Sequence, residues 1–427
     1  MRIGFLTAGA GDMLCGSCIR DTTLAQALTR NGQEVIFCPL YTPISTDDEG
    51  VVPSKQFYSG VSAYLQQRHP LFRRIPPLFD APFESRTILK ALMKLGADDR
   101  KMLAEMTKSV LLGSEGNQSK ELRKLVAWFR DRDAQVFNLP NTLLSGLARD
   151  LRSELKAPVL STLQGEDLFV DAFEQDDRTE IIGLMRRRAE DLDGFISVSH
   201  YYADFMSEYL RIPKNKIHVV HNGINLHGFG APEKGNVVKR SDGFVVGYMA
   251  RVCRAKGLHI LVEALKLLRD WGHDVGVRAA GWLSREDEGY LAEIRSNVRK
   301  LGLERNFEYL GVVSREDKIN ILRTCDVVSV PTEYREPFGL YVLEALAAGT
   351  PVVLPEHGAF PELIRETGGG MLHKPLSAED LAGKIAHLIE HPDGRKRLAE
   401  TGRTRVFERF SSDVMAEGVI EVYGKYV

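Results

Sequence analysis

The chain has 427 residues, too long for one ordinary core and comfortable for two. Hydrophobic residues make up 44% and charged residues 27%, which excludes a disordered chain. A formal net charge of −2 excludes an overall positive field for nucleic acid or anionic membrane, so any anion site must be local.

Met1-Arg2-Ile3-Gly4-Phe5-Leu6 runs straight into a strand-like segment, without the longer apolar stretch and small-residue cleavage site of a signal peptide. No run of about 18 apolar residues occurs, so no bilayer span is expected. The five cysteines (Cys15, Cys18, Cys38, Cys253 and Cys325) are sparse and odd in number, which fits a reducing, cytoplasmic compartment.

The first strand is expected at 3–7 and leads into Gly9-Ala10-Gly11. A helix over 22–30 follows, stopped by Asn31-Gly32. The next strands are expected at 34–39, 134–138, 159–163, 194–198 and 216–220. Residues 60–130 carry little strand signal and read as a helical insertion. Within them, 71–79 mixes aromatic, aliphatic and basic residues, which fits packing on the first domain or, as the less favoured reading, a peripheral contact with a membrane surface. Residues 228–242, rich in Gly, Lys and Ser, suit a linker. The pattern then restarts: strands at 244–248, 275–280, 307–310, 327–331 and 350–354, with a helix over 258–268. Strands rich in Val and Ile between helices predict α/β architecture, two doubly wound domains facing across a cleft.

Two segments of the second half carry chemistry. Gly247-Tyr248-Met249-Ala250-Arg251 ends a strand, and Ala255-Lys256-Gly257 opens a helix. Cations at a strand-to-helix turn oppose the helix dipole and point to an anion nearby, such as a diphosphate. Further on, Glu336-Pro337-Phe338-Gly339-Leu340 precedes a helix that contains Glu344. Gly339 permits close backbone approach, and free N–H groups around Leu340 can bind phosphate. Glu344, more than a turn into the helix, can accept hydrogen bonds from both ribose hydroxyls, and Glu336 would sit near a sugar.

In order and spacing these pieces resemble the retaining glycosyltransferases with the GT-B fold, in the large family numbered four. The likeness is strongest from 245 to 365, with Gly349-Thr350-Pro351-Val352-Val353 and His357-Gly358-Ala359-Phe360-Pro361-Glu362 matching the next strand and loop. His221-Asn222-Gly223-Ile224 resembles the turn that ends the first domain, and 410–427 the tail helix that crosses back to it. The resemblance implies an acceptor-side Rossmann-like domain at 1–228 and a nucleotide-sugar domain at 243–409. It gives Arg251 and Lys256 to the diphosphate, Glu344 to the ribose and Glu336 to the donor sugar, with Glu336, Arg251 and Lys256 as the catalytic set. It also implies that the departing phosphate oxygen takes the acceptor proton.

The donor would be a UDP-, GDP- or ADP-sugar, and the acceptor a sugar, polyol or lipid-linked hydroxyl. No cluster with metal-ligand spacing stands out, so a metal-independent enzyme without a tightly bound cofactor is expected. Alternatives on the same fold are a sugar phosphorylase, a nucleotide-sugar epimerase and a non-catalytic nucleotide-sugar-binding protein.

The first half departs from the family in places. Where many relatives carry a histidine, this chain reads Thr162-Leu163-Gln164-Gly165-Glu166-Asp167. Gln164 can bond a hydroxyl but cannot titrate. Gly11, Asp12 and Gly16 belong to a Gly-rich loop that the resemblance turns toward donor phosphate and acceptor, with Asp12, Gln164 and Glu166 as acceptor-side candidates. The loop's spacing and the strand end Phe37-Cys38-Pro39 do not fit a dinucleotide fingerprint. Cys15-Gly16-Ser17-Cys18 reads as a tight turn beside the cleft or, less readily, a redox dithiol.

Overall fold

A computed structural model describes residues 1–8, 16–41, 57–58, 60–68, 70–74, 100–230 and 243–427. Gly11, Asp12, Cys15, residues 75–79 and residues 231–242 therefore lie outside the described residues. The chain forms two compact units, Met1–His221 with Met415–Val427, and Asn222–Val414.

Unit 1 is built on β1 (Arg2–Thr7), β2 (Glu34–Pro39), β3 (Val136–Leu139), β4 (Val159–Leu163), β5 (Gly194–Ser197) and β6 (Ile217–Val219). All pairings are parallel, in the order β2-β1-β3-β4-β5-β6. Every residue of β3, β4 and β5 is buried, the continuous pattern of a sheet covered on both faces. The first helix, Gly16–Arg30, starts six residues earlier than its apolar spacing suggests, because its first turns carry the polar Arg20 and Asp21.

The tail helix Ser412–Tyr423 packs into this unit. Met415, Ala416, Val419, Val422 and Tyr423 recur at helical spacing and join one core with Ile3, Phe5, Leu28, Phe37 and Leu160. The segment expected as an insertion is helical where described: Gly60–Arg68, Pro70–Arg74, Arg100–Leu111 and Ser119–Phe129. Phe129 meets Phe137 of β3 edge to face at 4.9 Å, which ties the insertion to the sheet. Leu71 is 69% exposed.

Unit 2 is built on β7 (Phe244–Met249), β8 (Val275–Ala280), β9 (Phe307–Tyr309), β10 (Val327–Val328), β11 (Val352–Pro355) and β12 (Gly370–His373). It is again parallel, in the order β12-β11-β10-β7-β8-β9. The edge strand β12 is an addition to the expected set. β10 has only two residues because the chain leaves the ladder before Pro331, which cannot donate to it. No helix among the described residues is long and apolar enough to cross a membrane.

Candidate functional site

In unit 2 the chain runs from β7 outward through β8 to β9, then returns to the other side of β7 to make β10, β11 and β12. The carboxyl ends of the two strands at such a reversal flank a natural ligand crevice. β7 delivers Arg251 and, through the turn Arg254–Lys256, Lys256. β10 leads through Pro331 to Glu336 and on to the helix Leu340–Ala347, whose N-cap, Gly339, has a left-handed φ of 95°.

These groups meet. Lys256 Nζ lies 2.6 Å from Glu336 Oε2, with the two side chains only 15% and 12% exposed. The Tyr334 hydroxyl donates to the same oxygen at 2.8 Å. Burial raises the Tyr334 phenol well above its ordinary range, and the charge of Glu336 raises it further, so it stays a donor at neutral pH. The rings of Tyr334 and Tyr341 lie 5.0 and 5.4 Å from the ammonium, within cation–π range. Arg251 is exposed and forms no ion pair among the described residues. Glu344 stands on the helix behind Gly339 and Leu340, and its Oε1 is 2.5 Å from Lys318 Nζ.

The loop 331–336 is clamped from two directions. On one side Glu333 N–H donates to Ala255 O at 2.9 Å. A Cβ on Gly257, whose φ is 72°, would fall 1.8 Å from Pro331 O, so only glycine fits there. On the other side Ala359 N–H donates to Glu336 O at 2.9 Å, and a Cβ on Gly358 would meet Glu336 N at 2.6 Å. His357 Nε2 lies 2.9 Å from Thr332 O. Burial lowers the imidazole below its usual value, so it is neutral at pH 7 and Nε2 carries the proton it donates. Glu336 is thus placed by backbone contacts from both neighbouring turns.

Unit 1 has its own reversal, between β1 and β3, and a buried polar cluster stands at the strand ends there. Asp21 accepts from Arg20 at 3.1 Å and from Thr7 at 3.2 Å. Burial outweighs these partners and pushes Asp21 up to about 6. Gln164 Nε2 donates to Pro140 O at 2.6 Å and lies 3.5 Å from Asp21 Oδ1. Gly16 begins its helix at an exposed position, where an added Cβ would meet nothing within 4 Å.

Glu166 is buried, and the protein engages both its carboxylate oxygens. Thr142 N–H and O–H donate to Oε1 at 3.3 and 2.9 Å, and Gln164 N–H and Gly165 N–H to Oε2 at 2.9 and 3.1 Å. In the free protein it staples the loop around Gln164. The neighbouring Asp167 accepts from Tyr202 at 2.6 Å and is pushed up to about 6, first by burial. With the folded value above the unfolded one, the chain loses stability as pH rises from about 4 to 6. An Asp167→Asn variant should therefore gain on the wild type across that window, by about 1–2 kcal/mol above pH 6. Denaturant titrations at pH 4, 5, 6 and 7 check this, and a difference that stays flat with pH would contradict it.

Three residues of the unit 2 site were given no role from the sequence. Tyr334 reads as a loop aromatic, His357 as a loop residue and Lys318 as one more charge on a polar helix.

Residues 232–405 match the family model described as glycosyl transferases group 1, and residues 111–227 the one described as glycosyltransferase family 4. An uncharacterized glycosyltransferase of Methanocaldococcus jannaschii is 27% identical over 53% of this chain and 59% of its own length. The MMP alpha-(1->4)-mannosyltransferase of Mycolicibacterium hassiacum is 27% identical over 58% of this chain and 57% of its own. The chain thus spans less than two thirds of either relative. The crystal structure of Anabaena HepE in complex with UDP is similar over 100% of both chains, with a TM-score of 0.70 and 18% identity. That likeness shows the fold: two Rossmann-like domains of the GT-B type.

Proposed function

Because the chain belongs to the group 1, family 4 glycosyltransferases, we propose that it moves a glycosyl group from a nucleoside-diphosphate sugar to a hydroxyl acceptor, with retention and without a metal ion. The observation that carries this reading is the Lys256–Glu336 pair at the strand reversal of unit 2, with Arg251 on the turn that follows β7 and the Leu340–Ala347 helix starting four residues after Glu336. Arg251, Lys256 and the N–H groups around Gly339 and Leu340 hold the diphosphate, and Glu344 takes the ribose. Glu336 faces the donor sugar.

In the transfer, the bond from the anomeric carbon to the phosphate oxygen breaks and the acceptor oxygen bonds to that carbon from the same face. The acceptor proton passes to the departing phosphate oxygen. Lys256 and Arg251 stabilise the negative charge that grows there, the task a divalent ion performs in other phosphate sites. The acceptor falls to unit 1, near Gln164. Glu166 supports Gln164.

UDP heads the list of nucleotides to test, since the Anabaena protein was crystallised with it. Thermal shift with UDP, GDP and ADP and their sugars should show one base raising the melting temperature. Ligand at 100 times its Kd contributes about 2.7 kcal/mol. A flat response to all of them would remove the reading. Slow release of free nucleoside diphosphate from the stabilising sugar nucleotide then separates an enzyme from a binder.

A further inference from the structure

Lys318 belongs to the helix Arg315–Thr324, outside both segments that carry the site's residues. Three and four positions away on that helix stand Ser314, Arg315, Ile321 and Leu322, so it has no acid at the spacing of an intrahelical pair. Its position near the helix start is one the helix dipole disfavours for a cation. The ammonium instead reaches across to Glu344 Oε1 at 2.5 Å, a pair separated by 26 residues in sequence. Both side chains are largely covered, 27% exposed for Lys318 and 19% for Glu344, so solvent screens this pair less than a surface one. Among the described residues Lys318 is the one cation on Glu344, and Oε2 of that carboxylate receives no hydrogen bond from the protein.

Resting on the nucleotide reading above, we propose that Lys318 is a positioning residue of the nucleotide site. By holding Oε1, it fixes the Glu344 carboxylate in one rotamer and leaves Oε2 to accept from the ribose 2′-hydroxyl. An unpaired glutamate would have to lose its rotamer freedom when the nucleotide arrives. An anchored one has lost it already, so the ribose contact is formed at full strength. Lys318 thereby sets the preference for a ribonucleotide over its 2′-deoxy counterpart, without itself touching the diphosphate.

The test is calorimetric titration of the wild type, Lys318→Met and Lys318→Arg with UDP, GDP and ADP and with dUDP, dGDP and dADP. The wild type should prefer the ribonucleotide by about tenfold, the scale of one hydrogen bond to a charged group. Lys318→Met should weaken the ribonucleotide about tenfold and leave the deoxynucleotide within twofold, so the preference disappears. Lys318→Arg should restore most of it. Deoxynucleotide affinity also reports that the variant is folded and its diphosphate site intact. An unchanged preference in Lys318→Met overturns the proposal, and so does equal weakening of both nucleotides, which would make Lys318 a phosphate contact. A wild type that binds none of the six removes the nucleotide reading, and this inference with it.

Discussion

Replacing Lys256 with alanine is expected to lower kcat/KM by about 10²–10³-fold, or ~2.7–4 kcal/mol, the scale for one preorganised group at a developing negative charge. The size follows from the setting. The ammonium is 15% exposed, lies against Glu336 at 2.6 Å and sits near two aromatic rings, so it is already oriented in the free protein. It needs no reorganisation when the phosphate departs. Arginine should rescue poorly, since a planar fork does not fit a position built around a point charge between Tyr334 and Tyr341. The loss should appear in kcat as well as in kcat/KM, because the charge it meets is larger in the transition state. Steady-state kinetics on a variant with an intact melting transition check this. Near-normal turnover would sink the assignment.

The second large effect is expected at Glu336, and its two parts have opposite signs. Glu336→Gln should lower kcat by about 10²-fold, because the anion beside the sugar is gone from a site where charge-assisted bonds are worth roughly twice neutral ones. The same change should tighten binding of the free nucleoside diphosphate by about threefold to tenfold. In the wild type, Glu336 Oε2 already holds both Lys256 and the Tyr334 hydroxyl, so an incoming diphosphate must share the ammonium with a fixed carboxylate. Glutamine keeps the shape, accepts the phenol and removes the competing charge. Titration with the nucleotide identified by thermal shift gives the affinity, and turnover with its sugar the rate. Weaker binding together with retained turnover would mean that Glu336 only organises the loop.

Much of this was legible in the chain before any fold was known. The two strand-helix alternations and the residue types of the Arg251–Lys256 and Glu336–Glu344 segments follow from local rules: apolar period, helix stops and cations placed against a helix dipole. β12 escaped because Gly370–His373 is four residues at a sheet edge after Gly368-Gly369, too short for a period. β10 was overestimated because an apolar run ending at Pro331 reads the same whether or not its last residues pair.

The sequence by itself therefore determined which residue types stand at the strand ends of each half, and with them the chemistry available there. The tertiary structure decided which of those charges meet. Lys256 reaches Glu336 across 80 residues and Lys318 reaches Glu344 across 26, because parallel strands bring distant turns to one edge. No spacing rule along a chain encodes such a pair. An ion pair depends on separation in space and on how far water is excluded, and both are set only when the sheet and its helices are packed.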